Sequence, residues 1–350
     1  MRQRVAPLTW AAIWNQARRL TDPMQELDAL AQGPVAQADM LLEGTIARLA
    51  RKPLRIWQGL SGSEIALCVY ILPDGTVRIV HGELDVTTPS CFVAEGEVLR
   101  LRYTTCARGR TDIIDLHNLD RATRFVRRTG LAHAGLAADF LPGDAAYLDL
   151  FHGVAVATHA LSGADLPGVA AGTLIDTPDG ARAVETLIPG DELLIDGGRI
   201  GKLRWTATRE VLAIGQSAPV LIRAPYFGLN QDLTVTPATR ILVCGAAVEY
   251  QFGTDAVLVQ ANDMVNNIAV QRDTRRPVQT FWHLMLDDHD CVSVGRCSVE
   301  TVLLSDLVAS DGGAGAARLG RADNTPCNPV LDRAAAQSLL SHLPGARHAA

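Results

Sequence analysis

The sequence predicts a mainly β chain with two β-rich modules, a β-sandwich-like domain and then a second β domain, preceded by a helical N-terminal segment. Three observations carry this. Apolar and polar residues alternate with a period of two from Leu54 onward, as in Leu99-Arg100-Leu101-Arg102-Tyr103. Turn-forming clusters punctuate the apolar runs: Pro73-Asp74-Gly75, Pro178-Asp179-Gly180 and Pro189-Gly190-Asp191. Residues 129–165, rich in Ala, Gly and Asp, separate the two β-rich stretches.

Taken in order, residues 1–53 read as helical. Trp10, Ile13, Trp14 and Leu20, then Met40, Leu41, Ile46 and Leu49, recur near helical spacing, with a break at Asp22-Pro23. Trp10 and Trp14 are expected on one helix face, as core or docking surface. Over 54–130 the candidate strands are 54–58, 65–72, 77–81, 98–104, 111–116 and 122–127, which fits a small antiparallel sandwich or jelly roll. Residues 131–165 are expected to be a connector, and 166–306 a second β domain. Residues 307–325 read as a flexible linker. A last helix is expected to follow, with Asn328 as N-cap, Pro329 as first residue and Leu331, Leu339, Leu340 and Leu343 on its apolar side.

The 350 residues, 48% hydrophobic and 20% charged, suffice for two domains with substantial cores. A net charge of -6 offers no basic footprint for nucleic acid, and the short clusters Arg48/Arg51/Lys52 and Arg124/Arg127/Arg128 read as solvated faces. No apolar run is long enough to span a membrane. Met1–Trp14 lacks the apolar stretch and cleavage site of a signal peptide, so the cytoplasm, or export by a signal-less route, is expected. The seven cysteines form no CxxC pair; Cys291 and Cys297, with His289 nearby, lack a second ligand pair for zinc and read as buried or free thiols. The run Asp287, Asp288, His289, Asp290 cannot all point inward on one strand. No metal and no cofactor is therefore expected.

Residues 172–195 run Gly-Thr-Leu-Ile-Asp-Thr-Pro-Asp-Gly-Ala-Arg-Ala-Val-Glu-Thr-Leu-Ile-Pro-Gly-Asp-Glu-Leu-Leu-Ile. This resembles the opening block of Hint (hedgehog/intein) domains, in which GT-x-I-x-T-x-x-G leads to V-E-x-L-x-P-G-D. Residues 233–243 (Leu-Thr-Val-Thr-Pro-Ala-Thr-Arg-Ile-Leu-Val) are similar to the family's L-x-V-[ST]-P-x-H-R block, and 281–289 (Phe-Trp-His-Leu-Met-Leu-Asp-Asp-His) to its [YF]-x-H-[LI]-x-[LF]-D-x-H strand. Three blocks in order imply a Hint-type β-horseshoe over 166–306, of the bacterial, hedgehog-like, non-splicing sort. The leader before it resembles, more weakly, the β-rich leaders of some such proteins.

The resemblance implies self-processing. A Cys or Ser at the first position attacks the preceding carbonyl, and the His of Thr-x-x-His protonates the departing amide nitrogen. Here the first position, four before Gly172, is Gly168, which has nothing to attack with. Thr236 keeps the family Thr, but the His position is Thr239, and a hydroxyl does not carry protons near neutral pH as an imidazole does. Losing one acid–base group costs about 10²–10⁴ in rate, and losing the nucleophile removes the covalent route. His283, between Trp282 and Leu284, reads as a packed or hydrogen-bonded core histidine rather than a base. The expectation is a degenerate, non-cleaving module that binds a peptide or protein surface or serves structurally. Two alternatives stand beside it. One is autoproteolysis by an N–S or N–O acyl shift near residue 167 using Ser162, Thr173 or Cys291. The other is recognition of a carbohydrate or protein surface by the first domain, whose few aromatics include Trp57, Tyr70, Phe92 and Tyr103.

Overall fold

The computed structural model describes residues 10–15, 34–35, 37–59, 66–106, 111–121, 123–129, 135–136, 140, 150–157, 166–276, 278–311 and 325–342. The chain divides into two compact units, Met1–Leu161 and Ser162–Ala350.

In the first unit a six-stranded antiparallel sheet runs, in spatial order, Trp10–Asn15, Gly153–Ala157, Gln37–Thr45, Val98–Cys106, Thr111–Asn118 and Thr123–Thr129. A four-stranded meander (Leu54–Gln58, Cys68–Ile71, Val77–His81, Leu84–Thr87) supplies a second layer. Met40, Leu42, Leu101 and Tyr103 from the first sheet share one core with Trp57, Val69 and Ile79 from the second. This is a sandwich in which alternate residues of each strand face inward, as the buried–exposed–buried pattern of Val77–His81 illustrates. The Pro73-Asp74-Gly75 turn forms as expected: Gly75 takes a positive φ of 78°, and Asp74 Oδ1 accepts the Thr76 N–H.

Two expectations for this unit need correction. The segment read as helical contains strands at Trp10–Asn15 and Gln37–Thr45. The reason lies in Gln37–Thr45, which is central in its sheet. Met40 and Leu42 enter the core, yet Asp39, Leu41 and Glu43 are buried as well, so the period of two is hidden. Residues 16–33 of that reading lie outside the described residues. The supposed connector contains the strand Gly153–Ala157, inserted between Trp10–Asn15 and Gln37–Thr45. The first unit therefore begins before residue 54 and continues past residue 130.

The second unit is built on a seven-stranded antiparallel sheet: Glu192–Leu194, Ile200–Leu212, Val278–Leu286, Val169–Ala170, Leu233–Val235, Val220–Ile222 and Val270–Arg272. A four-stranded sheet (Ala256–Gln260, Arg240–Cys244, Cys297–Glu300, Cys291–Val294) and the hairpin Leu174–Thr177/Gly180–Ala183 complete it around one core. The last helix, Arg333–His342, buries Ala336 and Leu339 in that core. It starts later than the sequence suggested. Pro329 stays extended, its carbonyl accepting the Leu258 N–H, and Asp332 caps the helix through the Ala335 N–H. The expected linker opens with a helix, Leu304–Asp311, and residues 312–324 lie outside the described residues. Among the described residues no helix is long and apolar enough to cross a membrane.

Candidate functional site

The short strand Val169–Ala170 is hydrogen-bonded on both sides, Val169 lying opposite Val235 on one flank and Trp282 on the other. Just before it, the Pro167–Gly168 peptide unit is held between two elements. On one flank, the chain turns between Leu233–Val235 and Arg240–Cys244, crossing from one sheet to the other; Thr236 and Thr239 sit on this turn, closed by a Thr239 N–H to Thr236 carbonyl bond of 3.1 Å. On the other flank lies the long strand Val278–Leu286 with His283. All three side chains are completely buried.

The contacts define what each group can do. The Gly168 N–H donates to Thr239 Oγ1 at 2.9 Å, and the Thr236 N–H donates to the Gly168 carbonyl at 2.9 Å. Thr236 Oγ1 donates its single proton to the Leu166 carbonyl at 2.6 Å. The Thr239 hydroxyl proton is then shared between Thr236 Oγ1 (2.9 Å) and the Gly168 carbonyl (3.1 Å). His283 Nδ1 lies 2.7 Å from the Pro167 carbonyl oxygen. A carbonyl only accepts, so Nδ1 carries the proton and Nε2 holds a bare lone pair. Among the described residues that Nε2 is buried without a hydrogen-bond partner. Burial holds the ring's pKa down at about 4; donation to Pro167 offsets part of this and the nearby Arg209 charge reinforces it. The imidazole is neutral and can polarise the carbonyl, but its proton faces the oxygen rather than the amide nitrogen.

Gly168 is a packing requirement here. A Cβ at this position would stand 2.8 Å from both Cε1 and Nδ1 of His283 and 3.2 Å from the Trp282 carbonyl. The space a side-chain nucleophile needs is occupied by the histidine ring.

The other sequence candidates lie elsewhere. Ser162 lies outside the described residues. Thr173 Oγ1 donates to the Ala170 carbonyl at 2.7 Å, inside its own turn. Cys291 lies in the four-stranded sheet, fully buried, with its sulfur 3.8 Å from that of Cys327. Asp287 and Asp288 are exposed, while Asp290 Oδ2 accepts from Arg199 at 2.6 Å. Sequence reading set Cys291 beside Cys297; in the hairpin Cys291 faces Glu300, and Cys297 belongs to the apolar core. Cys327 was missed as its neighbour, since 36 residues separate the two in the chain. Oxygen and sulfur atoms of Asp290, Cys291 and Cys327 gather within 4.8 Å of one another.

Residues 167–306 match the family profile described as Hint domain, and this part of the chain is a Hint domain. Among solved structures, the MchDnaB-1 intein is 13% identical, covering 38% of this chain and 98% of its own, with a TM-score of 0.25. The AceL NrdHF class 3 split intein is 15% identical over 39% of this chain and 97% of its own, TM-score 0.25. A carbohydrate-binding module of a Ruminococcus gnavus sialidase (CBM40) is 12% identical over 44% of this chain and 89% of its own, TM-score 0.26. No curated protein matches the chain by sequence.

Proposed function

We propose that this Hint domain has kept the fold around a processing site and no longer cuts there, acting instead as a binding or structural module. The observation that supports it most is the His283 ring, which lies where a Cβ at residue 168 would have to go. The hydrogen-bond directions agree. The amide nitrogen of Gly168 is a donor to Thr239, so the group at the family's acid position accepts a proton's bond where catalysis would need it to give one.

The one contact in favour of residual processing is His283 on the Pro167 carbonyl, a donor placed where an oxyanion would form. Intact-mass measurement of the purified full chain separates the two readings. A single species of 37.5 kDa that persists through prolonged incubation with thiol or hydroxylamine is expected. Two fragments parting at Pro167–Gly168 would overturn the proposal.

A further inference from the structure

We propose that Cys327 and Cys291 are a redox-active thiol pair: Cys327 reacts with a low-molecular-weight disulfide, and Cys291 resolves the adduct to leave a bond that staples the C-terminal segment to the Hint domain. The pair lies outside the processing site and the proposal does not depend on that site's activity. Its basis is placement. The two sulfurs are 3.8 Å apart, so a bond of about 2.0 Å needs a shift of roughly 2 Å. Cys327 lies in a bend and is partly exposed, whereas Cys291 is fully buried in the strand Cys291–Val294. His289 supports Cys327. Its Nδ1 accepts the Cys327 backbone N–H at 3.1 Å, so the ring proton sits on Nε2, 3.2 Å from the Thr301 carbonyl and 3.3 Å from Glu300 Oε1. Glu300 is itself buried and held by Arg240 at 2.7 Å.

The chemistry of the two thiols differs in the sense required. A hydrogen bond from Cys291, and then His289, hold the Cys327 thiol below the ordinary thiol range against the opposing effect of burial. Cys291 is pushed strongly up, first by its hydrogen bond to Cys327 and then by burial. Cys327 is therefore the first to attack, and the thiolate charge that suppresses Cys291 disappears once Cys327 is modified. In the first step the Cys327 thiolate forms a bond to one sulfur of glutathione disulfide, and one glutathione thiolate leaves. In the second, Cys291 attacks the Cys327 sulfur, its proton passing to the second departing glutathione. Two cysteine thiols are oxidised by two electrons and one disulfide is reduced to two thiols.

The staple has a defined target. The segment after Cys327 lies along Ala256–Gln260, where the Leu258 N–H donates to the Pro329 carbonyl and the Leu331 N–H to the Leu258 carbonyl, before its helix enters the core. An oxidised pair would fix the start of this segment to the opposite edge strand of the same four-stranded sheet.

The test uses the reduced full chain, glutathione disulfide and peptide mapping by mass spectrometry. The expected product is a Cys291–Cys327 crosslink, lighter by two hydrogen atoms and reversed by dithiothreitol. Cys291→Ser should stop at one persistent glutathionyl group on Cys327, and Cys291→Ala gives the same readout if serine disturbs the buried site. Cys327→Ser should abolish the crosslink while the exposed Cys91 and Cys244 react as before. The reaction rate at Cys327 should reach half its plateau below the ordinary thiol range, and His289→Gln should move that midpoint up toward it. Adducts confined to Cys91 and Cys244 would overturn the proposal. So would stoichiometric zinc binding that shields Cys291 and Cys327 from alkylation and blocks the crosslink until a chelator is added, because Asp290, Cys291 and Cys327 would then be a metal site.

Discussion

Gly168 shows how one residue without a side chain can set the packing of a whole site. Its lack of a Cβ lets the His283 ring lie against the backbone, and any larger residue must displace that ring or the Trp282 carbonyl. Gly168→Ala is expected to destabilise the second unit by about 1–3 kcal/mol, the usual cost of overpacking a tight core. In a His283→Ala background the same substitution should cost markedly less, and equal costs in chemical denaturation of both backgrounds would refute the clash. His283 also sets a pH dependence. Its folded pKa is about 4 against an ordinary value of 6.5, so unfolded chains bind the extra proton first as pH falls. The ring's contribution, about 3 kcal/mol, is full above pH 6.5 and lost as pH drops from 6.5 toward 4. Urea midpoints at pH 7 and pH 4.5 should differ more for the natural chain than for His283→Gln. The residues at motif positions 168, 236 and 239 were legible in the sequence because motif positions are local. The position of His283 was not: it follows from the pairing of Val169 with Trp282, which no local pattern encodes.

Strands were legible where one face meets solvent and illegible where both faces are covered. Val98–Cys106 and Val77–His81 showed their alternation openly. Gln37–Thr45 hides it, because Asp39 and Glu43 are buried by ion pairs to a neighbouring strand: Arg102 meets Asp39 at 2.7 Å, and Arg100 meets Glu43 at 2.9 Å. With carboxylates and leucines both buried, the apolar set Met40, Leu41, Ile46 and Leu49 falls at helical spacing by coincidence. Gly153–Ala157 was illegible for another reason, since a Gly/Val/Ala run in an Ala- and Gly-rich stretch carries little strand propensity and is recruited by its two neighbours. The ion pairs make the element testable. Glu43 is wholly buried while Arg100 keeps some solvent contact, so Arg100→Met leaves a buried carboxylate short of its cation and should cost about 3 kcal/mol. Adding Glu43→Leu should recover much of that loss, and a double variant as unstable as the single one would show that the pair is not what holds this strand.

At the scale of the whole molecule, the cores divide as the units do. Among the described residues, the sandwich core draws on residues from Met40 to Val156, and the two clusters of the second unit on residues from Leu166 to Leu339. The motif blocks announced the second unit through turn chemistry and fixed spacing, but not its extent. Ala336 and Leu339 complete its core from beyond the family-matched region, so the C-terminal helix is part of the domain's packing rather than an appendage. Two pieces of the chain test this. A piece spanning 162–350 keeps every described residue of its core and is expected to fold alone with one cooperative transition. A piece ending at 306 loses Ala336, Leu339 and the strand-like contact of Val330 with Leu258, exposing the apolar strand Ala256–Gln260. Losing one buried leucine already costs about 2–5 kcal/mol, a large part of a domain's net stability. The shorter piece should melt far lower or collect in aggregates. Equal melting temperatures for the two pieces by circular dichroism would place the C-terminal helix outside the cooperative unit.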